Sequence, residues 1–77
     1  MTFIIPPYQI RLDKYNDAVE FSKIAETISG RVVVKDNQGH CVNAKSILGM
    51  LYALEFESLE VESEENIYYA IRKFCVE

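Results

Sequence analysis

The segment from Val42 to Leu51 constrains the fold most, because it predicts a strand that passes directly into a helix. Val42 ends an apolar run, and the side-chain oxygens of Asn43 and Ser46 can accept hydrogen bonds from the free N–H groups of a helix start. The apolar residues that follow predict a helix from about Ser46 to Leu54. Ser46 is therefore expected to be the N-cap of this helix.

The same position suits a phosphate group. A helix N-terminus presents oriented N–H donors and a partial positive charge, and Lys45 places a cation beside Ser46. A phosphate on the Ser46 hydroxyl would be stabilised there. The residues thus leave two interpretations open, a simple N-cap and a regulatory phosphorylation site.

The chain before this segment predicts a strand, a helix and a hairpin. Phe3–Ile5 and Tyr8–Leu12 predict an N-terminal strand whose regular part begins at Tyr8, because Pro6-Pro7 removes two ladder donors. An amphipathic helix should begin at Asn16 or Asp17 and end near Gly30. Its inward positions are Ala18, Phe21, Ala25 and Ile28. The β-branched run at 31–35, turn residues at 36–39 and the segment 40–42 predict the hairpin.

The chain after this segment predicts a strand and a last helix. Residues 55–62 place Leu59 and Val61 on one side and glutamates on the other, and Ser63 should cap the helix that follows. The inward residues of that helix are expected to be Ile67, Ala70, Ile71 and Phe74. The order β-α-β-β-α-β-α predicts an α+β open-faced sandwich, with three helices on one face of a four-stranded, mostly antiparallel sheet.

Size and charge limit the class of protein. The 77 residues predict a single domain, residues 1–77, that is a monomer or a weak homo-oligomer. A net charge of −4 disfavours nucleic acid and anionic membranes as partners. Charged residues interrupt each apolar run before it could span a bilayer. Cys41 and Cys75 are expected to be buried free thiols of a reduced, cytoplasmic protein.

The segment around Ser46 resembles HPr, the histidine-containing phosphocarrier of the bacterial sugar phosphotransferase system. The turn Asn37-Gln38-Gly39 and the run Val42-Asn43-Ala44-Lys45-Ser46-Ile47-Leu48-Gly49 are similar to the family's Asn-Gly-Lys and Val-Asn-Leu-Lys-Ser-Ile-Met-Gly. The resemblance covers most of the chain and implies the HPr-like fold. It also implies that Ser46 is a regulatory phosphorylation site, as in Gram-positive members of the family.

The phosphoryl-carrying motif of the family, Gly-Ile/Leu-His-Ala-Arg-Pro-Ala, is missing from this chain. Aligned without gaps from Ser46, it falls on residues 13–19, where Tyr15 stands in place of the His, Asp17 in place of the Arg and Ala18 in place of the Pro. A tyrosyl phosphate is a stable ester rather than a labile phosphoryl donor, and Asp17 would repel a phosphoryl group that an Arg attracts. The residues alone also favour an ordinary acidic first helical turn here.

The remaining candidate for function is a surface. In HPr, apolar residues on the first two helices bind Enzyme I, IIA proteins and regulators, and Ile47, Leu48 and Leu51 match them in this chain. Periodicity alone leaves core packing as the alternative. We expect a protein without phosphocarrier or enzymatic activity that regulates by binding a phosphotransferase-system enzyme, a kinase or a transcription regulator.

Two alternatives remain open, a phosphocarrier that uses His40 or Tyr15 and a purely structural interaction module. His40 is the only histidine, and we expect it on a surface strand rather than in an active site. His40, Cys41 and Cys75 have no metal-ligand spacing, and the sequence carries no phosphate loop or nucleophile motif. No metal and no cofactor are therefore expected.

Overall fold

The computed structural model describes residues 7–76 and shows three short helices against a four-stranded sheet. The elements are β1 (Tyr8–Gln9), α1 (Tyr15–Glu26), β2 (Val32–Lys35), β3 (Cys41–Asn43), α2 (Ile47–Ala53), β4 (Glu60–Ser63) and α3 (Tyr68–Ile71), which continues into a 3₁₀ turn at Arg72–Phe74. The predicted α+β class and the order β-α-β-β-α-β-α are confirmed.

The strands pair in the order β1-β4-β2-β3, and every pair is antiparallel. Val34 of β2 lies opposite Val42 on one side and Val61 on the other. The outer edge of β1 is covered by the end of the chain, where Val76 N–H donates to the Gln9 carbonyl at 2.8 Å. β3 forms the other edge of the sheet.

Alternating burial along the strands makes one face of the sheet the core. Val32, Val34 and Val61 are buried and form one cluster with Phe21 of α1 and Met50 of α2. α1 packs against both α2 and α3. The helices therefore cover this face, as the one-sided strands predicted.

The opposite face of the sheet is polar. Lys35 of β2 and Glu62 of β4 form an ion pair of 2.6 Å across it. The hydrogen bond from Lys35 to Glu62 raises the pKa of Lys35 above its ordinary value. The predicted acidic outer side of β4 is present.

Tyr8 connects the first strand to the last helix. Its ring is buried, and its hydroxyl donates to Asn66 Oδ1 at 3.1 Å and accepts the Ile67 N–H at 3.1 Å. Asn66 Oδ1 also accepts the Tyr68 N–H at 3.1 Å. These bonds satisfy backbone donors at the start of α3, which no helical carbonyl can reach.

The prediction for the last helix was partly wrong. Ser63 is the final residue of β4, opposite Val32, so it does not cap α3. The helix begins five residues later, at Tyr68. Ile67, Ile71 and Phe74 are buried as predicted, but Ala70 lies on the exposed side, because only every third or fourth residue of so short a helix faces the core.

Other element boundaries also differ from the predictions. α1 begins at Tyr15, and β4 begins at Glu60 rather than Glu55. Backbone bonds from Glu55 to Tyr52 and from Phe56 to Ala53 extend the helical turn past α2 and keep this segment out of the sheet. The predicted strand at Phe3–Ile5 lies outside the described residues.

Two further predictions concern the burial of the cysteines and the absence of a membrane-spanning segment. Cys41 and Cys75 form no disulfide, but Cys41 is exposed rather than buried, because it lies opposite Lys35 on the polar face of the sheet. Cys75 is half-buried. Within residues 7–76, no helix is long and apolar enough to cross a bilayer.

Candidate functional site

Several backbone N–H groups at the start of α2 are bonded to residues of the same segment. Asn43 Oδ1 accepts the Lys45 N–H at 2.9 Å, and the Asn43 carbonyl accepts the Ser46 N–H at 3.0 Å. Ser46 Oγ accepts the Gly49 N–H at 3.1 Å, so Ser46 is the predicted N-cap. Lys45 does not stand free beside Ser46, because its Nζ donates to the Ile28 carbonyl at 2.7 Å.

Gly49 and Ala44 allow α2 to lie close to the sheet. A Cβ atom on Gly49 would lie 3.0 Å from the Asn43 carbonyl oxygen and 3.4 Å from Val42 Cβ. Ala44 is fully buried, and its N–H donates to the Val32 carbonyl at 3.0 Å. Four of the small and polar residues that carry the resemblance to HPr thus have a structural role here, namely Asn43, Ala44, Ser46 and Gly49.

The first two apolar residues of α2, Ile47 and Leu48, have no such role. Leu48 is 79% exposed and Ile47 is 39% exposed. Leu51 is half-buried and packs against the core cluster. We refer to Ile47, Leu48 and Leu51 as the α2 patch. Since burial does not explain Ile47 and Leu48, they are candidates for contact with another molecule.

The start of α1 differs from that of α2 because a carboxylate caps it. Asp17 Oδ2 accepts the N–H groups of Asp13 at 3.0 Å and Lys14 at 3.2 Å, so the carboxylate caps the helix. Tyr15 is the first residue of α1 and is 61% exposed. The residue at the position of the family's Arg therefore closes the helix start with negative charge.

The two helix starts lie far apart. The Lys45 bond to Ile28 places the start of α2 near the chain that leaves α1. Tyr15 lies at the other end of α1, which is about 18 Å long at about 1.5 Å per residue for its 12 residues. The structure therefore does not bring Tyr15 and Asp17 together with Ser46.

His40 lies at the end of the turn between β2 and β3, just before the strand. Its Nδ1 is 2.6 Å from Asp36 Oδ2, and its ring stacks on Phe56 with centroids 5.8 Å apart. Phe56 also contacts the Tyr52 ring edge-to-face at 5.5 Å. Asp36, Tyr52 and Phe56 were not among the predicted site residues. The spacing of Asp36 and His40 across a turn was the available signal.

These side chains line an open hollow of about 250 Å³, which we call the aromatic hollow. Its lining residues are Asp36, Gln38, His40, Tyr52, Glu55, Phe56 and Glu57. Desolvation alone would raise the pKa of Asp36, but hydrogen bonds from the His40 side chain and from the Gln38 and His40 N–H groups lower it below its ordinary value. Asp36 is thus held as a carboxylate, which accepts a hydrogen from Nδ1 of His40.

The described residues form no metal-binding site, since no group of three or more His, Cys, Asp or Glu side chains among them could hold an ion.

No family model, curated protein or solved structure matches the chain.

Proposed function

We propose that this protein is an HPr-like regulatory module that binds another protein and carries no phosphoryl group. Its partner would be a phosphotransferase-system enzyme, a kinase or a transcription regulator. The observation that carries the proposal is the exposure of Ile47 and Leu48 on α2, at positions whose counterparts in HPr bind proteins.

Two further observations support the relation to HPr. The helices and strands follow one another in the order that the resemblance implied, with three helices covering one face of an antiparallel sheet. Gly49, part of the resembling segment, is required by the close approach of α2 to the Asn43 carbonyl. The resembling residues are thus those that this packing needs.

The residues at the start of α1 support the proposal that the protein carries no phosphoryl group. A phosphoryl group on Tyr15 would be a stable ester two residues from the Asp17 carboxylate, which already caps the helix. Like charges close together would destabilise it further. A carrier needs the reverse, a labile bond and a neighbouring cation.

Ser46 is the proposed switch. Its hydroxyl lies beside the α2 patch and accepts the Gly49 N–H, so a phosphate there would face the free N–H groups at the start of α2. About two negative charges at this place would change how an apolar or acidic partner surface docks on Ile47 and Leu48. Incubation with the kinase that phosphorylates HPr, with S46A as the control, tests this step.

Incubation with Enzyme I and phosphoenolpyruvate, with HPr as the positive control, tests the main proposal. The expected result is no acid-labile phosphate on this protein while HPr is labelled. Acid-labile phosphate on this protein would contradict the proposal.

A specific observation favours a carrier that uses His40 as the second candidate. The bond from Nδ1 to Asp36 leaves the other ring nitrogen, Nε2, without a hydrogen-bond partner among residues 7–76, on a half-exposed ring. Against it stand Asp36, Glu55 and Glu57, which line the same hollow and would repel a phosphoryl group. If label appears in the Enzyme I assay and H40A abolishes it, this candidate replaces the first.

The third candidate is a purely structural interaction module. It predicts that neither Enzyme I nor the kinase recognises the protein, so a negative result in both binding and kinase assays would favour it over the first proposal.

A further inference from the structure

Three rings line up at the end of α2. The Tyr52 and Phe56 rings meet edge-to-face at 5.5 Å, and the Phe56 and His40 rings stack at 5.8 Å with an interplanar angle of 27°. Tyr52 is itself 52% exposed. Aromatic faces carry partial negative charge and attract cations.

Carboxylates surround these rings. Asp36, Glu55 and Glu57 line the aromatic hollow, and none of the described residues that line it is Lys or Arg. The Asp36 side chain is only 5% exposed and is fixed by His40, whereas Glu55 and Glu57 are exposed. The hollow therefore combines π faces with negative charge, which favours a cation and repels an anion.

The hollow continues the α2 patch. Leu48 and Tyr52 are four residues apart on α2, so they are neighbours on the same side of the helix. Leu48 belongs to the patch, and Tyr52 lines the hollow. A partner segment lying along α2 would meet apolar side chains first and the acidic, aromatic hollow next.

We infer that the aromatic hollow receives an arginine side chain from a partner peptide segment whose apolar residues cover the α2 patch. This inference rests on the proposed docking function and specifies the chemistry of the partner. Arginine fits because its planar guanidinium both stacks on aromatic rings and pairs with carboxylates. The net charge of −4 adds general attraction for a basic segment.

A pair of short synthetic amphipathic peptides tests the inference. Both carry a leucine face, and they differ in one residue beyond that face, arginine in one and uncharged citrulline in the other. Titrated into ¹⁵N-labelled protein, the arginine peptide should bind about fivefold more tightly and shift the amide signals of His40, Tyr52 and Phe56. The preference should weaken with added salt.

Matched variants locate the effect. The E55Q/E57Q variant should lose most of the arginine preference, while the E26Q/E65Q variant, with the same change in net charge at other exposed positions, should keep it. L48S should weaken both peptides by a similar factor, because it removes apolar contact common to both.

The outcomes separate the inference from the proposed function. Equal binding of the two peptides, with L48S still weakening both, would overturn the inference and leave the docking function standing. An arginine preference in titrations where L48S leaves the affinity of both peptides unchanged would support the hollow and contradict the α2 patch. If neither peptide shifts any signal of α2 or the hollow, both are wrong.

Discussion

The starts of α1 and α2 differ in what they leave for other molecules. At α1, the charged residue at the N3 position, Asp17, accepts two backbone N–H groups, and the first turn is polar. At α2, Ser46 caps the helix by itself, and the next two residues, Ile47 and Leu48, point large apolar side chains at solvent. The first helix start exposes only the amphipathic ring of Tyr15 among its large side chains, and the second exposes the aliphatic side chains of Ile47 and Leu48.

This difference indicates where function lies. A residue that the fold itself needs, such as Asp17 or Gly49, gives no information about partners. Exposed apolar side chains weaken a folded chain's solubility and contribute little to its stability, so Ile47 and Leu48 call for an explanation outside the fold. Substitution of residues that the fold needs should change stability more than substitution of exposed apolar residues, and the variants follow from the largest expected change to the smallest.

Replacing Gly49 should have the largest effect. The G49V variant should lose about 2 kcal/mol of unfolding free energy, because the added side chain meets the Asn43 carbonyl oxygen, already 3.0 Å from an ideal Cβ. Urea unfolding of G49V and wild type measures it. A stability equal to wild type would show that α2 can move away from β3, and the account of this motif would fail.

Removing the carboxylate cap of α1 should come next. D17A should lose about 1.5 kcal/mol, since two backbone N–H groups lose their acceptor. D13A is the control, because the Asp13 side chain pairs with Arg11 in an exposed position and with no other residue in the described part of the chain, and D13A should change stability by less than about 0.5 kcal/mol. Equal losses in the two variants would contradict the capping role of Asp17.

The Ser46 cap should contribute somewhat less. S46A should lose about 1 kcal/mol, whereas S46D should stay within a few tenths of wild type, because Asp is as good an N-cap as Ser. Thermal unfolding of the three proteins checks this. A loss in S46D as large as in S46A would argue against an anion being accommodated at this helix start.

The bond between Asp36 and His40 predicts that the stability of the fold depends on pH. Because the folded state lowers the pKa of Asp36 below its ordinary 3.8, this group stabilises the fold above about pH 4, and the stabilisation is lost as the pH falls through the lowered value. The unfolding midpoint of wild type should therefore drop in acid more than that of D36N. If the unfolding midpoints of wild type and D36N fall in parallel as the pH is lowered, the bond from His40 does not stabilise the charged form of Asp36.

The α2 patch should have the smallest effect on stability. L48S should unfold within about 0.5 kcal/mol of wild type, because Leu48 is 79% exposed and buries little area. Y69S, which removes an exposed ring from α3, is the matched control. A loss in L48S as large as in G49V would assign Leu48 to the core instead of to a docking surface.

The sequence predicted more of the fold than of the surface. One-sided strands and the Ser46 cap follow from periodicity and from residue chemistry, which act locally. The start of α3 was misplaced because Ser63 has an equally good use in the ladder opposite Val32, and pairing with a distant strand is invisible in a local pattern. The later start of α3 also explains why Ala70 is exposed rather than buried.

The candidate site was predicted only where one helix carries it. Ile47 and Leu48 lie within one turn, so their pattern could suggest an exposed face. The aromatic hollow combines Asp36 and His40 from a β-turn with Tyr52 from the last turn of α2 and Phe56 from the segment after it, and only the packing of the hairpin against that helix end brings them together. Likewise, the pairing of Lys45 with the Ile28 carbonyl needed a contact across 17 positions.

A titration of ¹⁵N-labelled protein with Enzyme I tests the central claim most directly, with wild type, L48S and Y69S compared side by side. The account predicts that the amide signals of Ile47, Leu48 and Leu51 shift in wild type and Y69S, and that L48S binds at least about tenfold more weakly, as expected for an apolar contact removed from a docking surface. Equal binding of all three proteins, or shifts confined to Tyr15 and Asp17, would contradict it.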